Sequence, residues 1–490
     1  MARGLKFKTL NKTIVHFCQE TSLHGWKYVV LQHTSKFERL IWLILCGTSL
    51  GIAIYFLTTA WMTYESSPTI TLTESTQFEI YKYPFPAVTL CSFNKISKRA
   101  AYDMAKKLNE NSSSIESLAQ SFKLLYHLVN YNNQNIPRSE YDRLNQVLRS
   151  RGKTEEEVFE AISPSCHKLI KKCFWKGERK KCEDMFEKIK TPIGYCCAFN
   201  YFGLRNMSRK KTAFRYPSRT SSCGFQSGLE VLIDNDPNDY FATHIPSIGY
   251  RVLIHYPYDI PDWSVRNTLC EISTNNFIGL NPEIITATDN IKGMSASDRK
   301  CLFPKERTLE MFESYTFHNC LNEYLKNKTR ICSLKDIQCI FEKESLYLNL
   351  MFNETYSTQR NREFNGKCRC LSSCESVTYT PEASKGALYN SFSTNQFLIS
   401  SGVNVENHTI IRVFFNDLLG TRHRRDAVYT WHTLLGYYGG ILGLFTGFSF
   451  ISAVEIIYFL VIGCFTRGNM KKSKKTTQND VFKFAETKTN

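Results

Sequence analysis

From Leu40 to Tyr64 the chain runs for 25 residues without a charge, LIWLILCGTSLGIAIYFLTTAWMTY, bounded by Arg39 and Glu65. About 20 apolar residues cross a bilayer, so this run is long enough to span one with some tilt. Trp42, Trp61 and Tyr64 lie near its ends, where interfacial aromatics sit. It is too long for a signal-peptide core and starts too late in the chain. A second run, Tyr429–Thr466, contains the single charge Glu455, with His432 near its start. It also predicts a spanning helix. The mean hydropathy of the whole chain is -0.30, which excludes a many-pass transporter, because most of the chain must sit in water.

Charge placement predicts the orientation. Residues 1–39 carry seven Lys/Arg against two Asp/Glu, and residues 467–490 carry the same balance. The two flanks thus hold +10 of the formal +17, and both termini are expected in the cytoplasm. The charge then marks two short flanks, not nucleic acid; the basic tail (Lys471, Lys472, Lys474, Lys475) fits attraction to anionic lipid, but reads first as a solvated stop-transfer signal. Between the runs lie 15 of the 18 cysteines, from Cys91 to Cys374. Five Asn-x-Ser/Thr glycosylation sequons lie there too, at Asn111, Asn206, Asn327, Asn353 and Asn407. Both features belong to an oxidising exterior, and so does the plasma-membrane location they imply. Asn11 heads a sixth sequon on the cytoplasmic side, where it stays bare.

The exterior part reads as an α+β domain with a central antiparallel sheet and peripheral helices. Apolar residues in Ser114–Tyr131 follow helical spacing, and Thr154-x-x-Glu157 resembles a capping box. Leu229–Ile233, Tyr250–His255 and Thr409–Phe415 are rich in β-branched and aromatic residues, as strands are. Cys368-x-Cys370-x3-Cys374 could hold zinc, but an oxidising exterior favours disulfides. Fifteen cysteines leave at least one thiol unpaired within the domain. No nucleophile elbow, P-loop, H-E-x-x-H or dinucleotide fingerprint is present, so neither an enzyme nor a bound metal or cofactor is expected.

The second apolar run carries the chemistry. Gly439, Gly443 and Gly447 repeat every four residues, and Gly436 and Gly440 form a second such pair. Helix packing alone explains small residues on one face. It does not explain Ser449, Ser452 and Glu455 in the same segment. A carboxylate at the bilayer centre costs roughly 2.5–3.5 kcal/mol on insertion scales, so such a group faces a bundle interior or water. Small residues permit a constriction, carbonyls and hydroxyls replace an ion's hydration shell, and an acid attracts cations. With two helices per chain, a pore must be built from several copies.

Several motifs carry a resemblance across the whole chain. His24-Gly25 precedes the first span. Phe85-Pro-Ala-Val-Thr-Leu-Cys91-Ser-Phe-Asn94 follows it, and Gly194-Tyr-Cys196-Cys197-Ala-Phe-Asn200 comes next. Arg299-Lys-Cys301-Leu-Phe-Pro304 opens a cysteine-rich region that ends at Cys374, and Gly447-Phe448-Ser449 lies in the second run. In their order, these resemble the degenerin/epithelial sodium channel family, and GLFTGFSFISAVEIIYF looks most like its arthropod pickpocket branch. The resemblance implies a homo- or heterotrimer whose subunits each pair two transmembrane helices with a disulfide-rich extracellular domain. It implies a sodium-selective, amiloride-sensitive pore gated by that domain, in a sensory or epithelial setting.

The resemblance divides the chain into a cytoplasmic segment 1–39, a span 40–64, a first palm strand 65–94, a finger 95–190, and palm with β-ball 191–300. A thumb 301–380, palm, knuckle and wrist 381–428, a second span 429–466 and a basic tail 467–490 follow. The selectivity filter falls on Gly447, Phe448 and Ser449, with Ser452 and Glu455 on the same pore segment. Gating roles fall on His24, Gly25 and Gly436. The implied disulfides are Cys91–Cys196, Cys173–Cys182, Cys301–Cys374, Cys320–Cys370 and Cys332–Cys339, with Cys166, Cys197, Cys223 and Cys270 left open. The family usually has a cysteine where this chain has Tyr324, which makes Cys368 the candidate odd thiol. The basic stretch Arg422–Arg425 resembles a cleavage site but is expected to be structural. Two rivals share the topology, a purinergic ATP-gated type of channel and a glycosylated two-span receptor. A third possibility is an accessory subunit that conducts only with a partner. The stimulus is not legible, although His127, His244 and His318 could titrate near neutral pH.

Overall fold

The computed structural model describes residues 14–31, 33–108, 112–129, 138–205, 216–243, 245–326, 370–389, 405–459 and 461. These fall into two compact units, Thr71–Arg425, and Met1–Ile70 together with Asp426–Asn490.

The core of the larger unit lies between two sheets. One has five strands, in the order Asn267–Glu271, Gly249–His255, Ala87–Ser92, Gly194–Phe199 and Phe186–Thr191. The other is built on the long strand Thr274–Ala287. That strand pairs antiparallel with Ser376–Ala387 along one edge. Along its other edge it runs parallel to His408–Phe415 and then to Leu419–Ala427. The sheet is therefore mixed and not antiparallel throughout as expected. Pro282, which lacks an N–H, sits between the two parallel stretches, where no ladder bond is needed.

Phe85 of the first motif stands at the centre of this core, with Trp175, Phe415 and Phe199 around it at 4.8, 5.5 and 6.2 Å. Asn200 of the second motif is left-handed at φ 58° and donates to the Phe85 carbonyl at 2.6 Å. Asn94 closes the first motif by bridging the Asp239 carbonyl and the Phe241 amide. These motif residues are nodes of the fold.

The expected helix 114–131 splits into an α-helix Ser112–Ser121 and a 3-10 turn Phe122–Leu128. Phe122, Leu125 and Leu128 recur every three residues, the 3-10 period, and pack into one helical cluster with Leu144, Val158 and Ile162. At Thr154 only half of the capping box forms: its hydroxyl accepts from the Glu157 amide, while the Glu157 carboxylate turns to Lys153. The strands read from sequence appear as Leu229–Asp234, Gly249–His255 and His408–Phe415. Where His408–Phe415 pairs with Leu229–Asp234, Arg412 faces Glu230. Arg412 is buried between the rings of Phe225 and Phe277, with its Nε 2.9 Å from Glu230. Arg422 lies in the strand Leu419–Ala427 and pairs with Glu74 at 3.0 Å, a structural place for the basic stretch.

Five disulfides join Cys91–Cys196, Cys166–Cys197, Cys173–Cys182, Cys301–Cys374 and Cys320–Cys370. Among the described residues Cys18, Cys46, Cys223 and Cys270 are free thiols. Burial pushes the Cys270 thiol up to about 12, so it stays protonated and unreactive. Cys332, Cys339, Cys368 and the side chain of Tyr324 lie outside the described residues, as do Asn111, Asn206, Asn327, Asn353 and His244. Asn407 is half-buried, and its carbonyl accepts from Asn235.

Candidate functional site: a broken apolar helix held by the N-terminal segment

In the smaller unit, among the described residues, one continuous apolar helix, Lys36–Ser66, is long enough to cross a membrane. A reciprocal capping box starts it: the Ser35 hydroxyl accepts from the Glu38 amide, and the Glu38 carboxylate accepts from the Ser35 amide. The second apolar run is not the continuous helix expected. It forms Trp431–Thr446 and Phe450–Phe459, which meet at 70° across Gly447-Phe448-Ser449.

Each residue type at the break has a local job. Gly447 ends the first helix in the left-handed region at φ 69°, where a side chain costs energy. Ser449 opens the second: its hydroxyl accepts from the Ser452 amide at 3.2 Å, and the Ser452 hydroxyl accepts from the Ser449 amide at 3.1 Å. This is a capping box with serine at both positions. Glu455 lies one turn further on.

The N-terminal segment closes over this break. The His24 amide donates to the Thr446 carbonyl at 3.0 Å, and the Ser49 hydroxyl donates to the Phe445 carbonyl. A Cβ on Gly447 would lie 2.5 Å from the His24 ring. Gly25 is left-handed at φ 80°, and a Cβ there would lie 2.6 Å from Cys46 Sγ. Ser22 reaches both Ser452 and Glu455. His24 and Gly25 are thus brought together with Gly447, Ser452 and Glu455. Gly436 is not part of this cluster, and a Cβ on it meets nothing within 4 Å. Gly439 and Gly440 are equally open, so that helix face has no packing partner within the described residues of one chain. Ser22 and Ser49 went unnoticed in the sequence, because serines in a polar segment and in a spanning run carry no periodic signal.

Outside the two apolar runs, His318 forms the clearest titratable contact. Its Nδ1 is 3.3 Å from Asp262, which also accepts from the amide and hydroxyl of Ser264. Burial opposes the imidazolium, but the Asp262 bond and the charges of Asp259 and Asp262 outweigh it, so the His318 pKa is raised. Burial pushes Asp262 up, but His318 and Ser264 outweigh that and hold it below the usual range. His127 is buried in the helical cluster.

An apolar helix long enough to cross a membrane, a broken apolar helix with hydroxyls and a carboxylate at its break, and a disulfide-tied β-rich unit stand together in this chain, and its family is one of membrane-embedded ion channels. The family model for the amiloride-sensitive sodium channel matches residues 17–459, and the chain belongs to that family. Among its relatives is the sodium channel protein Nach of Drosophila ananassae, 24% identical, with 93% of this chain and 87% of that protein covered. Pickpocket protein 11 of Drosophila melanogaster is 25% identical, with 90% and 74% covered. Acid-sensing ion channel 4-B of Danio rerio is 22% identical, with 91% and 75% covered. A solved proton-activated chloride channel aligns at a TM-score of 0.27 and 8% identity, covering 86% of this chain and 96% of that one, too slight a likeness to argue from.

Proposed function

We propose that the chain is a subunit of a sodium-selective, amiloride-sensitive cation channel in the plasma membrane. It crosses the membrane twice with both termini in the cytoplasm and assembles with two further subunits, alike or related. Na⁺ passes a constriction at Gly447, Phe448 and Ser449 and the hydroxyl and carboxylate groups of Ser452 and Glu455. His24, Gly25 and Gly436 act in gating, and the domain between the spans receives the stimulus. One observation carries this reading: an apolar helix breaks where its sequence supplies small and hydroxyl residues, and the break is fastened to the His24-Gly25 segment. A plain membrane anchor has no need of that break.

The test is whole-cell recording from cells expressing the chain alone and with each of its relatives, under ion exchange. An inward Na⁺ current blocked by amiloride is expected. Surface-expressed protein that is silent in every combination would defeat the reading. Ser449→Thr keeps a capping hydroxyl and adds a methyl group, so a shifted reversal potential in that variant reports on permeation and not on loss of the cap.

A further inference from the structure

We propose that Ser22 is a positioning residue for the Glu455 carboxylate and, through Ser452, ties that carboxylate to the helix break. This rests on reading the break as part of the ion pathway. The amide and the hydroxyl of Ser22 each lie 3.1 Å from Glu455 Oε2. The Ser22 hydroxyl is also 2.8 Å from that of Ser452, a residue with 0% exposure, and the Ser449 and Ser452 hydroxyls are 3.1 Å apart.

Proton counting gives the cluster a direction. An ionised carboxylate only accepts, and a serine hydroxyl has one proton to donate. The Ser22 proton therefore goes to Glu455. The contact between Ser22 and Ser452 then needs the Ser452 proton, and the contact between Ser452 and Ser449 needs the Ser449 proton. The result is one relay of donors, Ser449 to Ser452 to Ser22 to Glu455, in which each bond polarises the next. No other arrangement satisfies all three contacts with Glu455 charged. Ser22 is the one link outside the second apolar run. It holds a pore acid in place from the N-terminal segment, with the His24 amide bond to Thr446 two residues away fixing the same segment.

The test uses the full-length protein and two readouts. In the channel, Ser22→Ala is expected to change the Na⁺/K⁺ permeability ratio by about five-fold, the size of one net hydrogen bond. Ser22→Thr, which keeps the hydroxyl, restores the parent ratio. In purified protein, the melting-temperature losses of Ser22→Ala and Glu455→Leu are expected to be less than additive, because both remove the same contact. Additive losses would overturn the proposal, and so would an unchanged permeability ratio in Ser22→Ala. A parent protein with no cation current would overturn the conduction reading instead, and the melting cycle then decides by itself whether Ser22 holds Glu455.

Discussion

Gly447→Ala tests whether the break and the His24 segment are one structure. Two costs add. The left-handed backbone at φ 69° costs a residue with a Cβ about 1–2 kcal/mol. The new Cβ would lie 2.5 Å from His24 Cδ2, 2.6 Å from Cγ and 2.8 Å from Nε2. Because Cγ is itself in the clash, turning the ring about its own axis gives no relief, and the side chain must change χ1. Overpacking of this kind costs about 1–3 kcal/mol. The single variant should therefore lose about 2–5 kcal/mol, a large share of a typical stability. His24→Ala removes the ring but keeps the amide bond to Thr446, which is made by backbone. In the double variant the steric part should return and only the conformational part remain. Thermal or denaturant melting of purified full-length protein, run as a four-member cycle, reads a coupling of about 1–3 kcal/mol. Gly447→Asn adds a control, since asparagine tolerates the left-handed region but still meets the ring. It should be damaging with His24 present and near parental with His24→Ala. Additivity within about 0.5 kcal/mol would refute the packing of His24 against Gly447.

Other perturbations report on the larger unit and the open helix face. Removing one partner of the buried Arg412–Glu230 pair, as in Glu230→Leu, leaves a buried charge and should cost about 3–5 kcal/mol by denaturant melting, whereas Glu230→Leu with Arg412→Met should recover most of it. The raised His318 pKa means that its contribution is complete below the ordinary imidazole value and is lost as pH rises through the folded value; the depressed Asp262 contribution is instead lost in acid. Melting temperature should thus fall more steeply in the parent than in His318→Gln as pH rises above the ordinary imidazole value, and parallel profiles would remove the pair from the pH response. Gly436→Val should fold and reach the surface normally, since its Cβ meets nothing within 4 Å in one chain, yet raise resting current where neighbouring subunits crowd that face; an unchanged current removes Gly436 from gating.

The apolar runs, the cysteine-rich stretch between them and the core strands were legible because each is a property of a short window: hydropathy, residue type or alternation. The break in the second run was not, because averaging hydropathy over Tyr429–Thr466 hides a single left-handed glycine, and its glycines read as packing surface. Parallel pairing was equally hidden. The parallel partners of Thr274–Ala287 lie beyond residue 407, and no local pattern reports which distant strand arrives or in which direction. The Cys166–Cys197 bond follows from strand geometry once the strand is known. Cys196 and Cys197 are adjacent in Gly194–Phe199, so their side chains point to opposite faces. One meets Cys91 among Ile193 and Leu253, and the other meets Cys166 within the main core. The resemblance assigned Cys196 to Cys91 but left the partner of Cys197 open.

A helix interrupted inside an apolar run is stable only if the freed backbone groups find partners. Upstream of the break, the Leu442 carbonyl accepts from the Phe448 amide and the Thr446 hydroxyl, and the Gly443 carbonyl accepts from the Gly447 amide. The Phe445 and Thr446 carbonyls take Ser49 and His24. Downstream, Ser449 and Ser452 cap each other. Two of these partners come from residues far away in sequence, one from the first apolar helix and one from the segment before it. The N-terminal segment is therefore part of the break's backbone hydrogen bonding. Deleting it would leave the Thr446 carbonyl without its His24 donor, and an unsatisfied carbonyl inside an apolar run costs free energy. It follows that a change of current in a His24 or Gly25 variant does not by itself identify a gate. The same substitutions alter the geometry of the break, and only a variant that changes current while leaving the melting cycle intact separates gating from support.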